Sequence, residues 1–406
     1  MAERSSPTAL SVRDPVHGFI RADALEAALI NSRPVQRLRF IHQLGFTFLV
    51  FPGAEHSRFS HVLGAMHLAG RLYDALCVKS DGLLPPGARS RERRLVRAAA
   101  LLHDVGHAPF SHSAEELFDG GIDHEEMTRR LLALPEVESL FERHGDGITP
   151  ADVGRLLASG GGPTGRLLAR MISGELDVDK MDYLLRDSLY CGVRYGSFDL
   201  ERLLDTVLPL ADPETGFWGI GVEEGGVHAL EALVMARYYM FTQVYFNVTG
   251  KALELHLNQW LLENGERWAD DPEAFLHQDD VSVWAAMRRS GSLHARAVVE
   301  REHFPVAFET REHLPRDDKE RFEALLPELA GRFGSGNLLI SNSAKDPHRM
   351  HASRVLVRRY DGSLEPMEQA SHFIRHLTRI DRYRIYTPHA LRAPVATLLR
   401  ERWGPG

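Results

Sequence analysis

The stretch LLHDVGHAPFSH, residues 101–112, places three histidines and one aspartate within twelve positions, directly after an apolar run typical of a helix. The adjacent residues His103 and Asp104 are candidate metal ligands, because a divalent ion accepts imidazole nitrogen and carboxylate oxygen together. Gly106 and Pro109 follow them, and both residue types end helices. The sequence therefore predicts a helix end at which two neighbouring side chains can reach one ion.

Two residues elsewhere complete a predicted metal site with this pair. His61 lies in the helical segment EHSRFSHVLG, and Asp179 lies in LDVDKMDY. Two neutral imidazoles and two carboxylates balance the charge of a divalent ion, and coordination positions remain for water and a substrate oxygen. Each residue alone is more often a core histidine or a helix-terminal aspartate. Their combination on three separate helices favours metal binding by His61, His103, Asp104 and Asp179.

Polar residues beside these ligands could bind a phosphorylated substrate. Asp179, Tyr183 and Asp187 are spaced by four residues, so they share one face of a helix. Lys180 could offset phosphate charge, and Asp187 could accept a hydrogen bond from a sugar hydroxyl. Arg58 shares a face with the histidine ligand three residues later and could pair with two phosphate oxygens. An ordinary amphipathic helix is the alternative for each of them.

A second stripe with helical spacing consists of Arg237, Phe241 and Tyr245. Arg237 interrupts an apolar face, which leaves two interpretations. The side chain either lies along apolar surface with its charged end in solvent, or it reaches a polyphosphate.

Three histidines of this region are not used by the predicted metal set: His107, His112 and His124. Histidine titrates near neutral pH, which suits a general acid. A reaction that expels a poor leaving group needs a proton donor of this kind. These histidines are therefore candidate proton donors, and a structural role is the alternative for each.

Long ordered motifs contain most of these residues: DPVHGFI, QRLRFIHQLGFTFLVFPGAEHSRFSHVLG, HDVGHAPFSH and LDVDKMDYLLRD. With the ligand order H…HD…D, they resemble the HD superfamily of metal-dependent phosphohydrolases, and within it the deoxynucleoside triphosphate (dNTP) triphosphohydrolase branch. The resemblance covers about residues 12–260. It implies an HD-domain fold that hydrolyses a dNTP to deoxynucleoside and inorganic triphosphate, with water activated by Mn, Fe, Zn or Mg. The human member of this branch also has a sterile-alpha-motif domain, and no such domain is expected before the core of this chain.

The resemblance also implies roles for the residues that would surround a substrate. In similar enzymes the arginine matching Arg58 and the lysine matching Lys180 contact phosphate. The tyrosine matching Tyr183 packs beside the sugar and phosphates, and the aspartate matching Asp187 binds the 3′-hydroxyl. The tyrosine matching Tyr245 lies under the sugar and excludes a 2′-hydroxyl, which implies selectivity for deoxynucleotides.

Further positions follow from the same resemblance. Gln43 and Leu44, in HQLG, match residues that contact the 3′-hydroxyl and the base. A leucine makes no hydrogen bond to a base edge, so weak base discrimination is expected. His107 and His124 match residues that contact phosphate or support those that do.

The favoured general acid in similar enzymes matches His112. The acidic residues that assist it there match Glu115 and Glu125 in this chain. The residue that matches Glu115 is an aspartate in the human member of this branch. The proton relay in this chain is therefore expected to have a different geometry.

Many similar enzymes are homo-oligomers with activating nucleotides bound between subunits. Gln36 and Arg39 match that activator pattern, whereas Arg13 replaces an asparagine and Asn31 replaces the aspartate that reads guanine. We therefore expect a dimer or tetramer that is active without GTP, with a different nucleotide activator as an open alternative.

Composition excludes several classes of function. The net charge of −8 argues against nucleic-acid binding and against anionic membrane surfaces. No apolar run approaches the roughly 20 residues that a membrane helix needs. The only cysteines are Cys77 and Cys191, which fits a reducing compartment. We expect a cytoplasmic enzyme whose phosphate-bearing substrate is held by local basic residues and a metal.

These residues can meet only if helices bring them together, and the sequence patterns predict a mainly α protein. The prediction is an HD-domain helical core over residues 1–265 and a small α+β C-terminal lobe over residues 266–406. Periodicity and capping residues predict helices at 24–30, 59–76, 91–105, 123–134, 175–192 and 226–262, with a hairpin within 214–226. In the lobe, strands are predicted at 303–310, 337–344, 354–360 and 382–387, and helices at 319–333 and 394–403.

Two other functions remain open. One is a different HD phosphohydrolase, acting on nucleoside monophosphates, cyclic dinucleotides or an alarmone. Arg58, Lys180 and Arg237 favour a substrate with several phosphates, and Tyr245 favours a deoxy sugar. The other is a binding module without turnover, which senses nucleotides or holds single-stranded nucleic acid. The acidic net charge argues against this binding module.

Overall fold

The computed structural model describes residues 8–80, 83–110, 117–345 and 355–403. The fold is mainly α, as predicted, with small sheets. At its N-terminal end, β1 (Leu10–Asp14) and β2 (Gly18–Ala22) pair antiparallel, with Asp14 opposite Gly18. The Oδ1 atom of Asp14 accepts hydrogen bonds from the backbone N–H groups of Val16 and His17, which fixes the turn.

The helical body follows this hairpin. Within the described residues up to 206 its α-helices are α1 (Ala24–Ile30), α2 (Arg33–Arg37), α3 (Arg58–Val78), α4 (Arg89–Leu102), α5 (His124–Leu132), α6 (Pro135–His144), α7 (Pro150–Leu157), α8 (Gly162–Ile172), α9 (Val178–Tyr190) and α10 (Leu200–Thr206). The helices predicted around residues 24–30, 59–76, 91–105, 123–134 and 175–192 are all present, with bounds that differ by a few residues.

The centre of the body is α3, which packs against α4 and α9. Apolar residues cover most sides of α3, and Val62, Met66 and Leu72 are fully buried. A helix that is apolar nearly all round belongs in a core. Its partner α4 begins with arginines and ends in the fully buried run Ala98–Leu102. This packing brings the ends of α3, α4 and α9 together.

The helix predicted over residues 226–262 is interrupted, so that prediction is wrong in its middle. The structure has α11 (Val227–Met240), a π-helical turn (Phe241–Tyr245) and α12 (Val248–Asn264). Asn247 explains the restart, because its Oδ1 atom accepts hydrogen bonds from the backbone N–H groups of Thr249 and Gly250.

Strands from distant parts of the chain form two further sheets: β3 (Val207–Ala211), β4 (Trp218–Glu223), β7 (Leu356–Arg358) and β8 (Leu364–Pro366) in one, and β5 (Val306–Glu309), β9 (Ile380–Tyr386) and β6 (Leu339–Lys345) in the other. In the first sheet β4 and β7 are parallel and the other pairs antiparallel; the second is antiparallel throughout. The hairpin predicted within 214–226 is wrong in its bounds, because only β4 lies in that range and its antiparallel partner β3 precedes residue 214.

The remaining helices are α13 (Pro272–Phe275), α14 (Asp280–Arg289), α15 (Leu293–Val299), α16 (Arg316–Glu323), α17 (Leu326–Phe333), α18 (Met367–Ala370), α19 (His372–Arg375) and α20 (His389–Arg402). The single helix predicted over 319–333 is therefore two helices. Pro327 lies in the first turn of α17, where its missing N–H group is tolerated.

Buried apolar side chains of the described residues form one large cluster, a smaller one, and a third of four residues, Ala252, Phe304, Leu339 and Tyr386. The large cluster includes Phe275, Met287 and Val357 together with the core of the helical body. The smaller cluster joins the β5–β9–β6 sheet to α16, α17 and α20. The large core thus extends beyond α12, although Gly265 ends that helix at φ +66°. The two-domain division at residue 265 stays a prediction.

Among the helices of the described residues, none is long and apolar enough to cross a membrane.

Candidate metal centre and adjoining cavity

The first predicted ligand, His61, lies near the N-terminus of α3 and is fully buried. Its Nδ1 atom donates a hydrogen bond to Asp182 Oδ2 on α9, at 2.8 Å. In the neutral imidazole the proton is therefore on Nδ1, and Nε2 carries the lone pair. Nε2 lies 3.1 Å from Asp179 Oδ1 and 3.8 Å from Asp104 Oδ2, yet makes no hydrogen bond to a described residue. This is the tautomer that a metal-binding imidazole needs.

The second predicted ligand, His103, directly follows α4. Its Nδ1 atom donates to the carbonyl oxygen of Ala100 at 2.8 Å, so Nε2 again carries the lone pair. Nε2 lies 3.7 Å from Asp179 Oδ1, and it too is buried without a hydrogen bond to any described residue. The rings of His61 and His103 meet edge to face, with centroids 5.4 Å apart.

The adjacent Asp104 is buried among cations. Its Oδ2 atom accepts a hydrogen bond from Arg58 Nη1 at 2.5 Å, and its Oδ1 atom lies 3.2 Å from both His103 Nε2 and His107 Nε2. Arg58 reaches this carboxylate from the first position of α3. The carboxylate of Asp104 therefore connects the two histidines of its own loop to the arginine of α3.

The arrangement fits a divalent cation. Ligand atoms of His61, His103 and Asp179 all lie within 4.8 Å of one another, and we call these three residues the metal cluster. Two buried imidazole nitrogens without a hydrogen bond are costly unless another group satisfies them. A cation bound between them and the Asp179 carboxylate would remove that cost. Asp104 lies at the edge of the cluster, and its role as a fourth ligand stays a proposal.

The charges of the metal cluster also favour a bound divalent cation. Burial lowers the pKa of His61, but the carboxylates of Asp179 and Asp182 outweigh it and raise that pKa to about 10. Burial raises the pKa of Asp179, but His103 and His61 outweigh it and lower the pKa below its usual range. The cluster therefore carries ionised carboxylate and attracts positive charge, either a proton or a metal ion.

A cavity of about 1040 Å³ opens beside the metal cluster. It is large enough for a nucleotide. The predicted site residues that line it are Gln43, Leu44, Arg58, His103, Asp104, His107, His124, Glu125, Asp179, Lys180, Tyr183, Asp187, Arg237 and Tyr245. His61 lies behind this wall. The structure thus brings the residues of the predicted substrate site, as far as they are described, to one cavity.

The two predicted phosphate-binding residues on α9 and α11 already have carboxylate partners. Lys180 Nζ donates to Asp177 Oδ2 at 2.6 Å and to the carbonyl oxygen of Gly174 at 2.7 Å. Arg237 Nη1 donates to Glu175 Oε2 at 3.2 Å, while its buried Nε makes no hydrogen bond to a described residue. Both cations are therefore held at the cavity wall by residues of the loop before α9.

The predicted histidines beside the cluster stack on each other. The rings of His107 and His124 are nearly parallel, with centroids 4.3 Å apart. Glu125 follows His124 in the first turn of α5 and is exposed at the cavity. The other two residues of the predicted proton relay, His112 and Glu115, lie outside the described residues.

The predicted sugar-binding residues form a chain of hydrogen bonds. Asp187, near the end of α9, accepts hydrogen bonds from the Tyr245 hydroxyl and from His56 Nε2, each at 2.8 Å. The rings of Tyr183 and Tyr245 meet edge to face with centroids 6.2 Å apart. Nearby, Gln43 donates its backbone N–H to the carbonyl of His56 at 3.0 Å.

Several contributing residues were missed by sequence reasoning. His56 holds Asp187, and Asp182 holds the ligand His61, with Arg186 and His17 around that carboxylate. The sequence did contain a signal for them: His56, Asp182 and Arg186 lie within the motifs that hold His61 and Asp179, and His17 lies within the motif DPVHGFI. Cavity residues from the second half of the chain, such as Lys251, Asn342 and Ser343, had no such signal.

Two known protein families match segments of this chain. Residues 58–187 match the HD domain family, from Arg58 to Asp187. Residues 198–402 match the HD associated region, about half of the chain.

Individual relatives extend over different parts of the chain. The uncharacterised protein YwfO of Bacillus subtilis is 40% identical over 267 residues, 65% of this chain and 58% of YwfO. A Dictyostelium discoideum protein named deoxynucleoside triphosphate triphosphohydrolase SAMHD1 homolog is 28% identical over 410 residues, 92% of this chain and 76% of that protein. The chain spans little more than half the length of the first curated relatives that it matches. Among solved structures, a phosphohydrolase from Bacteroides thetaiotaomicron has a TM-score of 0.73 at 25% identity, over 93% of this chain and 99% of that one.

Proposed function

The chain belongs to the HD-domain family, and from that premise we propose that it is a metal-dependent dNTP triphosphohydrolase. The reaction would cleave the bond between the 5′-oxygen and the α-phosphorus, with water as the second reactant. The products are a deoxynucleoside and inorganic triphosphate. The resemblance to a named dNTP triphosphohydrolase over 92% of this chain supports the substrate class.

One observation carries the proposal most directly. The metal cluster lies at one side of a cavity whose wall also contains Arg58, Lys180, Arg237 and the Asp187–Tyr245 pair. Cations beside a metal position suit a substrate with several phosphates, and a hydrogen-bonded carboxylate suits a sugar hydroxyl. A nucleoside triphosphate has these groups in one molecule.

The metal would be held by His61, His103 and Asp179, with Asp104 as the proposed fourth ligand. When bound, a divalent cation lowers the pKa of water and polarises a phosphoryl oxygen. Imidazole and carboxylate ligands are compatible with Mn, Fe and Zn, and Mg is a weaker match because it prefers oxygen ligands.

The chain's own cations would neutralise the polyphosphate. Arg237 has a buried Nε–H group at the cavity wall with no hydrogen bond to a described residue, so a phosphate oxygen can accept from it. Lys180 is fixed beside the ligand Asp179 by its bond to Asp177. Arg58 extends over Asp104, and we propose that it binds the phosphate nearest the metal. The stacked pair His107 and His124 would contribute further contacts to phosphate.

The sugar and base would lie toward Tyr245. Asp187 would accept a hydrogen bond from the 3′-hydroxyl, and Gln43 would contact the same hydroxyl. Tyr183 would pack against the sugar, and Leu44 against the base. Tyr245 would occupy the space that a 2′-hydroxyl needs.

The leaving 5′-oxygen needs a proton, and we propose His112 as its donor, assisted by Glu115 and Glu125. This assignment rests on the sequence resemblance alone for His112 and Glu115. A variant H112A should retain bound metal and lose turnover by about 100-fold or more, the usual contribution of a general acid. Loss of metal from this variant would instead make His112 a ligand.

Product identity tests the proposed function. The purified protein, with its metal content measured, is incubated with Mn²⁺ and each of the four dNTPs, and in separate reactions with nucleoside monophosphates, cyclic dinucleotides or alarmones. The products are separated by ion-exchange chromatography. Deoxynucleoside and triphosphate are expected. Deoxynucleoside monophosphate with pyrophosphate would contradict the proposal, and turnover only of monophosphates, cyclic dinucleotides or alarmones would assign another HD phosphohydrolase activity. Binding of dNTPs without turnover would indicate a sensor.

Assembly, activation and location belong to the same proposal. We propose a homo-oligomer, dimer or tetramer, with a possible activating nucleotide between subunits, and light scattering with and without nucleotides tests it. We also propose a cytoplasmic location, which the free thiols of Cys77 and Cys191 support.

A further inference from the structure

The imidazole of the ligand His61 is oriented by a carboxylate that the proposed reaction does not use. We propose that Asp182 is a positioning residue for His61. Arg186 and His17 hold Asp182 in place by hydrogen bonds, and Gly64 leaves the space in which Asp182 lies. This inference rests on the metal centre of the proposed function, but it concerns metal affinity and not the identity of the substrate.

Both oxygens of the Asp182 carboxylate are fully used. Oδ2 lies 2.8 Å from His61 Nδ1 and accepts from Arg186 Nε at 2.8 Å. Oδ1 lies 2.6 Å from His17 Nε2 and accepts from Arg186 Nη2 at 2.9 Å. The side chains of Asp182 and Arg186 are fully buried. With four donors around it, the carboxylate has a single orientation.

The consequence for His61 is a fixed tautomer and a fixed ring plane. An ionised carboxylate only accepts hydrogen bonds, so Asp182 requires the proton on His61 Nδ1. The lone pair of Nε2 is then directed toward Asp179, 3.1 Å away. A carboxylate behind a ligating imidazole also raises its basicity as a ligand. An asparagine at 182 could present its amide N–H groups to the ring and would no longer impose this tautomer.

The network extends to the N-terminal hairpin. Arg186 Nη1 donates to Asp14 Oδ2 at 2.8 Å, at the end of β1. The other oxygen of Asp14 accepts from the backbone N–H of His17, whose ring in turn meets Asp182. The hairpin therefore supports the carboxylate through two residues that are themselves hydrogen-bonded to each other.

Gly64 provides independent support. It lies three residues after His61 on α3, and a Cβ atom there would be 1.8 Å from Asp182 Oδ1 and 2.4 Å from Arg186 Nη2. Glycine within a helix is less stable than alanine, so its presence here needs a reason. The absent side chain is what allows the Asp182–Arg186 pair to lie against the helix that carries the ligand.

The affinity for Mn²⁺ tests the proposal without any substrate. Metal-stripped wild type and the variants D182N, G64A and H17Q are titrated with Mn²⁺, and free Mn²⁺ is measured by electron paramagnetic resonance. Loss of a group that orients a metal ligand typically weakens metal binding by about 10- to 100-fold. We expect that loss for D182N and for G64A, which displaces Asp182 without changing it, and a smaller loss for H17Q.

E26Q is the matched control. Glu26 forms a buried ion pair with Arg97, at 2.6 and 2.8 Å, and neither residue contacts the metal cluster in the described structure. This variant should lower the thermal midpoint and leave Mn²⁺ affinity unchanged. Circular dichroism and thermal midpoints establish that each titrated variant is folded; if D182N does not fold, G64A and H17Q decide the outcome.

Wild-type Mn²⁺ affinity in the folded G64A and H17Q variants would overturn the proposal and make the network purely structural. A wild-type protein that binds no divalent cation would overturn both the metal centre and this inference. A wild type that binds Mn²⁺ but releases no triphosphate contradicts only the proposed substrate and reaction.

Discussion

The hydroxyl of Tyr245 donates a hydrogen bond to Asp187 Oδ2 at 2.8 Å, and this bond joins the π-helical turn after α11 to the end of α9. The other oxygen of Asp187 is held by His56. The carboxylate and the aromatic ring therefore have fixed relative positions at the cavity wall. In the proposed function these two groups define where the sugar lies.

The bulk of Tyr245, and not its hydroxyl, should determine discrimination against ribonucleotides. Y245F keeps the ring and removes the bond to Asp187, so we expect kcat/KM for dATP to fall roughly tenfold, the value of one hydrogen bond to a charged group. Y245A removes the ring, and we expect ATP turnover to rise relative to dATP. The measurement is kcat/KM for both nucleotides. Equal loss of discrimination in both variants would contradict the steric explanation.

Arg384 on β9 should stabilise the break between α11 and α12. Its Nη1 group donates to the carbonyl oxygen of Phe246, and its other nitrogens donate to Glu309 Oε1 at 3.1 and 3.0 Å. R384M removes the donor to that carbonyl and leaves Glu309 Oε1 with Arg382 Nη1, at 2.7 Å, as its remaining arginine partner. We therefore expect the free energy of unfolding to fall by about 2 kcal/mol. Urea unfolding measures the change.

R316M is the control for that prediction. Arg316 and Glu320 form an exposed pair on α16, and its loss should cost less than about 0.5 kcal/mol. Similar losses for R316M and R384M would show that the buried arginine makes no special contribution.

Stability should fall at mildly acidic pH because of His256. This buried ring accepts the backbone N–H of Phe304 at Nε2, and its Nδ1 lies 2.8 Å from His294 Nδ1. Burial first, and then the nearby His294 and His303, lower the pKa of His256 to about 3. The folded state therefore favours the neutral ring, and its stabilising contribution is complete above pH 6.5 and declines as the pH falls toward 3.

The test compares wild type with H256Q, whose amide oxygen can accept from Phe304 but does not titrate. Between pH 7 and pH 5 the wild type should lose about 2 kcal/mol more of its unfolding free energy than the variant. An identical pH dependence of the two proteins would contradict the assignment to His256.

Turnover should not depend on GTP. Asn31 stands where the sequence resemblance implies a guanine-reading aspartate in similar enzymes. Its side chain donates to the carbonyl oxygen of Ala27, and the guanidinium of Arg13 lies over the ring of Phe19. Neither arrangement provides a carboxylate for a guanine. Initial rates of dNTP hydrolysis with and without GTP should be equal, and a strict requirement for GTP would overturn this expectation.

Local patterns were sufficient to predict the elements that carry the metal cluster. Histidine and aspartate at the ends or faces of amphipathic helices were recognisable from spacing, and the helix end before His103 was signalled by Gly106 and Pro109. The assignment of metal ligands as a set remains a proposal, since three of the four are grouped by the geometry and Asp104 lies at the edge.

Features that depend on distant partners could not be predicted. The parallel pairing of β4 with β7 joins residues more than 130 positions apart, and nothing in either strand specifies the other. Periodicity likewise continued through residues 241–247, where a π-helical turn and the cap at Asn247 interrupt the helix. The sequence itself places Lys180 next to Asp179, but only tertiary structure shows that Asp177 already binds it.

The burial of His61 behind the cavity wall has a kinetic consequence. Asp179 has a third of its side chain exposed, whereas His61 has none, so an arriving cation meets Asp179 first and His61 last. In the proposed function, a nucleotide in the cavity would then cover the side from which the ion entered. We therefore expect ordered binding, metal before nucleotide, and slower exchange of the bound ion with the surrounding solution while a nucleotide is present.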